Sequence, residues 1–260
     1  MSALEAFILG IIQGLTEFLP VSSSGHIELG KAILNVHPAD PLLFSVVVHA
    51  ATALSTLVVF RKDIFDIFSG LAQGNKTSIR FSVFILVSMI PAAFIGLFFN
   101  DVIETLFEEN VVLVGSMLLL TGVLLLLTDF TKTKEKKLNL FNVIMIGIAQ
   151  AIAILPGISR SGATISTSVI LGISRSEAAR FSFLMVVPLI LGKMAKDLLD
   201  SKMILESDAI LPMILGFSSA FVTGLLACTL MIRVVKKSKL WYFSIYCFVV
   251  GISALIISII

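Results

Sequence analysis

The chain has 260 residues with a formal net charge of +2, and 57% of its residues are hydrophobic while 14% are charged. Its mean hydropathy of +1.06 lies far outside the usage of water-soluble domains, so an integral membrane protein is expected. No nucleic-acid partner is expected, because the basic residues fall in short segments between apolar runs. Cys228 and Cys247 lie within apolar runs without metal-ligand spacing, and we interpret both as packing residues.

Each half of the chain contains one polar segment that breaks an apolar run. The first extends from Gln13 to His26 and the second from Gln150 to Gly162, and both contain a Leu-Pro step followed by serine and glycine. Polar, flexible backbone is costly in a bilayer and is tolerated where protein buries it or where it lines a wet cavity. A duplicated break of this kind predicts a repeat membrane protein with a site near the bilayer midplane.

Six apolar runs have the length of a membrane-spanning helix. They are Leu42–Phe60, Phe81–Phe99, Val111–Thr128, Phe181–Met194 with its flanks, Ala209–Ile232 and Leu240–Ile260. The two regions that carry the polar breaks, 1–40 and Leu140–Arg180, are each too short for two comfortable spans. We therefore predict that each forms a re-entrant hairpin of two half-helices.

The loop charges predict the orientation of the spans, because Lys and Arg concentrate on the cytoplasmic side. The acidic segment Asn100–Asn110 is predicted to lie outside, and three basic segments are predicted to lie inside. The basic residues are Arg61, Lys62, Lys76, Arg80, Lys132, Lys134, Lys136, Lys137, Arg233, Lys236, Lys237 and Lys239. The first hairpin then enters from outside and the second from inside. This predicts one all-α membrane domain, an inverted-topology repeat (1–138 and 139–260) of six spanning helices and four re-entrant half-helices.

Gln13 and Glu17 are the first candidate site residues. They are four residues apart, so a helix presents both on one face. A carboxylate near the bilayer interior costs roughly 2.5–3.5 kcal/mol on insertion scales, and Glu17 therefore needs a partner. One interpretation is a structural hydrogen bond that closes the hairpin. The interpretation we favour is a pair of oxygen ligands for a hard cation, Mg²⁺ or Ca²⁺.

The first polar break adds hydroxyl groups and a histidine. Its serine and glycine cluster predicts a loop and helix cap, with at least one serine acting only as a cap; the members are Ser22, Ser23, Ser24 and Gly25. His26 follows Ser23 by three residues, so a turn would make their side chains neighbours, and we predict a nucleophilic or acid–base role. His37 is expected in an exterior loop, and His49, inside a span, is interpreted as a core histidine rather than a catalyst.

The second polar break supplies groups that suit an anionic ligand. The guanidinium of Arg160 can bind two phosphate oxygens at once. A helix that starts after Gly162 adds free backbone N–H groups and the positive end of its dipole. Together with Glu17, these features predict a pocket for a diphosphate and a metal ion. The predicted phosphate-binding residues are Ser22, Ser24, Gly25, Ser159, Arg160, Ser161, Gly162 and Thr164.

These motifs resemble the bacterial undecaprenyl-diphosphate phosphatase family, also called bacitracin resistance proteins. The resemblance rests on Gln13, Glu17 and Pro20–His26, on Pro156–Thr164, and on the segment from His49 to Asp63. It implies an inverted-repeat fold, a divalent cation, the bacterial inner membrane, and hydrolysis of the C55 lipid diphosphate to its monophosphate, which recycles the carrier for peptidoglycan and confers bacitracin resistance. Some members have Glu at the position of Gln13. The side chain of Gln13 offers a carbonyl oxygen but no charge.

The residues and the resemblance together predict phosphoryl transfer, with the catalytic groups facing the exterior. Ser23 attacks the terminal phosphorus and His26 takes its proton. Arg160 and a cation held by Glu17 and Gln13 neutralise the charge that develops on the phosphate oxygens. A variant in which His26 is the nucleophile, or the base for direct attack by water, stays open.

Two other classes of protein share some of these features. Type-2 phosphatidic acid phosphatases also use Ser-Gly-His and Ser-Arg elements, but they need a further histidine and none follows His49. An inverted-repeat transporter or flippase of polyprenyl phosphate is the main alternative, because broken helices are typical of transporters. Such a protein does not need Ser23 and His26 beside a cation site. The expected partners are the lipid diphosphate and the bilayer, with a homodimer left open.

Overall fold

A computed structural model describes residues 1–34, 36, 41–99, 103, 105–106, 110–131, 135–200, 209–236 and 240–258. This part of the chain is helical and contains no strand. The helices are α1 (Ala3–Phe18), α2 (Ser23–Leu34), α3 (Pro41–Val59), α4 (Arg61–Ala72), α5 (Lys76–Phe98), α6 (Val111–Phe130), α7 (Leu140–Ile152), α8 (Arg160–Ile170), α9 (Arg175–Asp200), α10 (Ile210–Lys236) and α11 (Trp241–Ile257).

Helices occur at all six positions where the apolar runs predict a span, namely α3, α5, α6, α9, α10 and α11. Within the described part of the chain, three stretches are long and apolar enough on their own to cross a bilayer: Lys76–Phe98, Val111–Phe130 and Ile210–Val235. The bent pair α3–α4 meets the same test as one unit, and α11 is a shorter apolar helix. The expectation of an all-helical, multi-pass membrane protein is confirmed at this level.

Both polar breaks form the expected pairs of short helices. In the first, α1 has 16 residues and α2 has 12; in the second, α7 has 13 and α8 has 11. At a rise of about 1.5 Å per residue none of these helices spans a core of about 30 Å. The Leu-Pro step ends α1 because proline lacks the N–H that a continuing helix needs.

Glycines let the first helix of each pair pack tightly against a long helix of the other half. A Cβ atom on Gly10 or Gly14 of α1 would collide with Ser219 or Thr223 of α10. A Cβ atom on Gly147 of α7 would lie 2.6 Å from the carbonyl oxygen of Ser88 in α5. The contacts of α1 with α10 and of α7 with α5 therefore hold the two motif-bearing helices in place.

The segment after α3 differs from the expectation. The basic residues between the first two spans predict a loop, whereas the structure has α4, which is bent by 73° from α3. Ile64 and Ile67 pack against the core, while Phe65 and Phe68 are 71% and 66% exposed. This spacing is typical of an amphipathic helix, which a search for long apolar runs does not detect.

Several residues that carry the orientation lie outside the described part of the chain. They are Asp101, Glu104, Glu108, Glu109, Lys132, Lys134, Lys237 and Lys239. His37, expected in an exterior loop, also lies outside it. The orientation in the membrane therefore stays a prediction.

The tips of the two hairpins meet inside the helical bundle. A Cβ atom on Gly25 would lie 3.2 Å from the Cα atom of Gly157, and Gly157 has a φ of +93°, a conformation that favours glycine. The hydroxyl of Ser161 donates to the carbonyl oxygen of Leu19 at 3.2 Å. Residues from the two halves of the sequence thereby line one shared polar region.

Candidate active site

The carboxylate of Glu17 is the centre of this polar region. Glu17 is 7% exposed, and its Oε1 atom forms a close ion pair with Nη2 of Arg160. Its Oε2 atom accepts hydrogen bonds from the hydroxyl of Ser23 at 2.6 Å and from Nε2 of Gln13 at 3.0 Å. Nε2 of His49 lies 3.9 Å from the same oxygen. Side chains from α1, α2, α3 and α8 thus converge on one buried charge.

Arg160 reaches Glu17 because it is the first residue of α8. The preceding residue, Ser159, caps this helix, since its hydroxyl accepts from the backbone N–H of Gly162 at 3.1 Å. Thr121 of α6 holds the segment just before α8, because its hydroxyl accepts a hydrogen bond from the backbone N–H of Ser159 at 3.0 Å. The ion pair joins the second motif to the first, as the opposed charges in the sequence predict.

Ser22 acts as the structural cap of the first loop. Its hydroxyl oxygen accepts from the backbone N–H of Gly25 at 3.3 Å and lies 3.4 Å from the hydroxyl of Ser24. Ser22 has a φ of +70°, which is uncommon for a residue other than glycine and marks local strain. The expectation that at least one serine acts as a cap is met by Ser22.

Among the described residues no hydrogen bond joins His26 to Ser23, the partner that the sequence predicts. Its Nδ1 lies 2.8 Å from the carbonyl oxygen of Ser22, and its Nε2 lies 2.8 Å from the hydroxyl of Tyr246. A carbonyl only accepts, so Nδ1 carries the proton and Nε2 accepts from the Tyr246 hydroxyl. Both ring nitrogens are thus hydrogen-bonded, and the hydroxyl of Ser23 donates to Glu17.

The serine and threonine hydroxyls of the second motif, which are predicted to bind phosphate, form hydrogen bonds within the protein. The hydroxyl of Ser161 bonds to Leu19, and Thr164 is fully buried, with its hydroxyl donating to the carbonyl of Arg160 at 2.8 Å and lying 2.7 Å from that of Ser182. Ser159 is 1% exposed. The structure brings Arg160 to Glu17 and gives these three hydroxyls partners within the fold.

Two residues at this site were missed by the sequence reasoning. Tyr246, near one end of the last apolar run, is not among the predicted site residues, but its ring stacks on His26 with centroids 5.5 Å apart. His49 is expected in the core, but its Nε2 faces Glu17. For His49, the sequence signal was a polar side chain inside an apolar run. Nothing near Tyr246 in the sequence indicates its contact with a residue so distant in the chain.

Comparison with known proteins gives the family. The family described as bacitracin resistance protein BacA matches residues 6–253 of the chain. The chain belongs to the BacA family. The sequence-based resemblance is thereby confirmed.

Three relatives named undecaprenyl-diphosphatase illustrate the similarity of this BacA-family chain to others. The relative from Christiangramia forsetii is 58% identical over 259 residues, which cover 98% of each chain. One from Bacteroides fragilis is 47% identical over 99% of each chain. One from Methanococcus vannielii is 39% identical over 96% of this chain and 98% of its own.

The site of this BacA-family protein fits a hard cation. Oε1 of Gln13 is buried and has no hydrogen-bond partner among the described residues, which is a costly state for an acceptor. It belongs to the side chain whose Nε2 bonds to Glu17. The described residues contain no cluster of three or more His, Cys, Asp or Glu that could hold a metal ion. A cation here therefore depends on the amide oxygen of Gln13 and on substrate oxygens as well as on Glu17.

Proposed function

We propose that the chain hydrolyses undecaprenyl diphosphate to undecaprenyl phosphate and inorganic phosphate. This recycles the lipid carrier for cell-wall polymer synthesis and gives resistance to bacitracin. The observation that carries the proposal is the buried carboxylate of Glu17, which holds Ser23 and Arg160 from opposite halves of a BacA-family chain. Relatives across its whole length are named undecaprenyl-diphosphatase.

In the proposed mechanism, the oxygen of Ser23 attacks the terminal phosphorus while the bond to the lipid monophosphate breaks. The hydroxyl proton is already directed at Oε2 of Glu17, which accepts it. This replaces the predicted transfer to His26. Water then attacks the phosphoserine, and Nε2 of His26 exchanges its hydrogen bond from Tyr246 for one from that water and takes its proton. As the bond between phosphorus and the Ser23 oxygen breaks, Glu17 returns its proton to that oxygen.

Arg160 binds the phosphate oxygens in this proposal. One guanidinium nitrogen pairs with Glu17, and the other N–H groups have no partner among the described residues. They can donate to the terminal phosphate, where charge develops in the transition state.

A divalent cation, Mg²⁺ or Ca²⁺, would add positive charge against the diphosphate when bound. Glu17 and Gln13 are the protein residues that would hold it, as the unpaired Oε1 of Gln13 supports. The phosphates would lie against Ser22 and the first turn of α2, which contains Ser24 and Gly25.

We further propose six spanning helices and four half-helices in an inverted repeat with halves at 1–138 and 139–260. In this repeat α1 corresponds to α7, and α5 corresponds to α10. The contact of α1 with α10 therefore has its counterpart in the contact of α7 with α5, which supports the repeat. The helices α6 and α11 also correspond to each other, so their contact joins equivalent helices of the two halves. We place the protein in the bacterial inner membrane with the site open to the exterior. A homodimer stays a prediction.

The test is phosphate release from undecaprenyl diphosphate in detergent, with Mg²⁺ or with EDTA. Wild type is expected to release phosphate only with the cation, and Glu17→Ala is expected to lower the rate at least about 10²-fold. Glu5→Ala, on the same helix but in its N-terminal capping box, is the matched control and should keep activity. No release by folded wild type would overturn the proposal and favour the transporter.

A further inference from the structure

We propose that His49 is a ligand of the cation site through Nε2, and that this nitrogen gives the site a preference for Mn²⁺ over Mg²⁺ and Ca²⁺. The inference rests on the proposed cation site at Gln13 and Glu17. It adds a third protein ligand, from α3, to the two that α1 supplies.

The hydrogen bonding of His49 leaves Nε2 available. Nδ1 lies 2.8 Å from the carbonyl oxygen of Ser45, one turn earlier in α3. Because a carbonyl only accepts, Nδ1 carries a proton, and in the neutral ring Nε2 then carries the lone pair. A backbone carbonyl that accepts from the second ring nitrogen is the usual way in which a metal-binding histidine is oriented.

The distance between His49 and Glu17 suits a shared ion better than a direct bond. Nε2 of His49 is 3.9 Å from Oε2 of Glu17, which is too long for a hydrogen bond. Metal bonds to an imidazole nitrogen and to a carboxylate oxygen are each about 2.0–2.2 Å long, so one ion can reach both atoms. Nε2 has no hydrogen-bond partner among the described residues.

Gln13 and His49 converge on the same carboxylate oxygen. Nε2 of Gln13 bonds to Oε2 of Glu17 at 3.0 Å, so the amide lies beside the atom that His49 faces. The other amide atom, Oε1, is the buried acceptor without a partner. A cation among these side chains would satisfy both the free oxygen and the free nitrogen.

A nitrogen ligand changes which cation the site prefers. Mg²⁺ and Ca²⁺ are hard ions that take oxygen ligands, whereas imidazole suits transition metals. Mn²⁺ accepts carboxylate, carbonyl and water oxygens as well, so it matches the combination of Gln13, Glu17 and His49. The competing arrangement is a protonated His49 paired with Glu17, which would exclude a metal bond from Nε2.

The proposal is tested by electron paramagnetic resonance of Mn²⁺ bound to the purified protein. The echo-modulation spectrum of wild type is expected to show coupling to a ¹⁴N nucleus. The coupling should disappear in His49→Gln and persist in His26→Gln, because both ring nitrogens of His26 are hydrogen-bonded. In His49→Gln the Kd for Mn²⁺ should rise at least about tenfold, and the Kd for Mg²⁺ should change less than about twofold.

The wild-type spectrum tests the proposal even if a variant fails to fold. Failure of wild type to bind Mn²⁺, bound Mn²⁺ without nitrogen coupling, or coupling that survives in His49→Gln overturns it. Phosphate release would separate the two proposals. Release that continues with Mg²⁺ in any of these cases leaves the proposed function standing, whereas no release with any cation removes the proposed function itself.

Discussion

The buried carboxylate of Glu17 has the partly buried guanidinium of Arg160 as its main counterion. Removing one member of such a pair leaves an uncompensated charge, which typically lowers the free energy of unfolding by about 3–5 kcal/mol. The remaining donors to Glu17, Ser23 and Gln13, are neutral. The ion pair therefore helps to fix the position of the carboxylate.

Tyr246 is expected to position His26 rather than to touch the substrate. Tyr246→Phe keeps the stacked ring and removes the hydroxyl that donates to Nε2. We expect kcat to fall about tenfold with little change in KM, because ring orientation matters in the transition state. The measurement is steady-state phosphate release. In the His26→Gln background the same substitution should have no further effect, and an additive loss would contradict the positioning role.

Gln13→Glu adds a carboxylate beside Glu17. A second negative charge strengthens the attraction for a divalent cation, so half-maximal activity should require about tenfold less Mg²⁺. Titration of phosphate release with Mg²⁺ measures the change. A requirement for Mg²⁺ that is unchanged or higher would show that Gln13 is not at the cation.

At the scale of elements, the contact of α1 with α10 fixes where Glu17 lies. Gly14 is one turn before Glu17 in the same contact, and a methyl group there would meet Thr223 and the backbone of Ala220. Gly14→Ala is therefore expected to lower the free energy of unfolding by about 1–3 kcal/mol, since overpacking forces the helices apart.

Thermal unfolding in detergent checks this expectation, with Gly96→Ala as the matched control. A Cβ atom on Gly96 of α5 has no atom within 4 Å, and alanine favours the helix, so its midpoint should stay equal or rise slightly. An equal midpoint for Gly14→Ala and wild type would contradict the close packing of α1 on α10.

The elements that the sequence predicts are those decided by local composition. Long apolar runs locate α5 and α6, and the Leu-Pro and Ser-Gly steps locate both hairpins. The helix α4 was not predicted, because its charged residues resemble those of a loop and its apolar face is narrow. Its amphipathic spacing is visible only once helical periodicity is tested.

The site shows the same division between local and distant contacts. Glu17 and Arg160 could be placed together because a buried carboxylate needs a positively charged partner, and few positively charged side chains are present in the apolar segments. The partner of His26 could not, because Tyr246 reaches it through the packing of α11 near α2. The hydroxyl of Ser23 bonds to Glu17 and the ring of His26 to Ser22 and Tyr246, so no hydrogen bond joins the predicted Ser23–His26 pair, although both residues lie in the first turn of α2.

At the scale of the whole molecule, the proposed catalytic centre is assembled from two halves of the chain. Glu17 and Ser23 come from the first polar break and Arg160 from the second, and the hairpin tips that carry them touch at Gly25 and Gly157. Neither half supplies the centre alone. The duplicated motif therefore serves a single site rather than two.

The most direct test of this claim is a double-mutant cycle on phosphate release from undecaprenyl diphosphate, using Glu17→Gln, Arg160→Gln and the double variant. Residues that act as one unit are strongly non-additive. We predict that each single variant lowers kcat/KM about 10²–10³-fold and that the double variant loses about the same. Losses that multiply in the double variant would show that Glu17 and Arg160 act independently, which would contradict a shared centre.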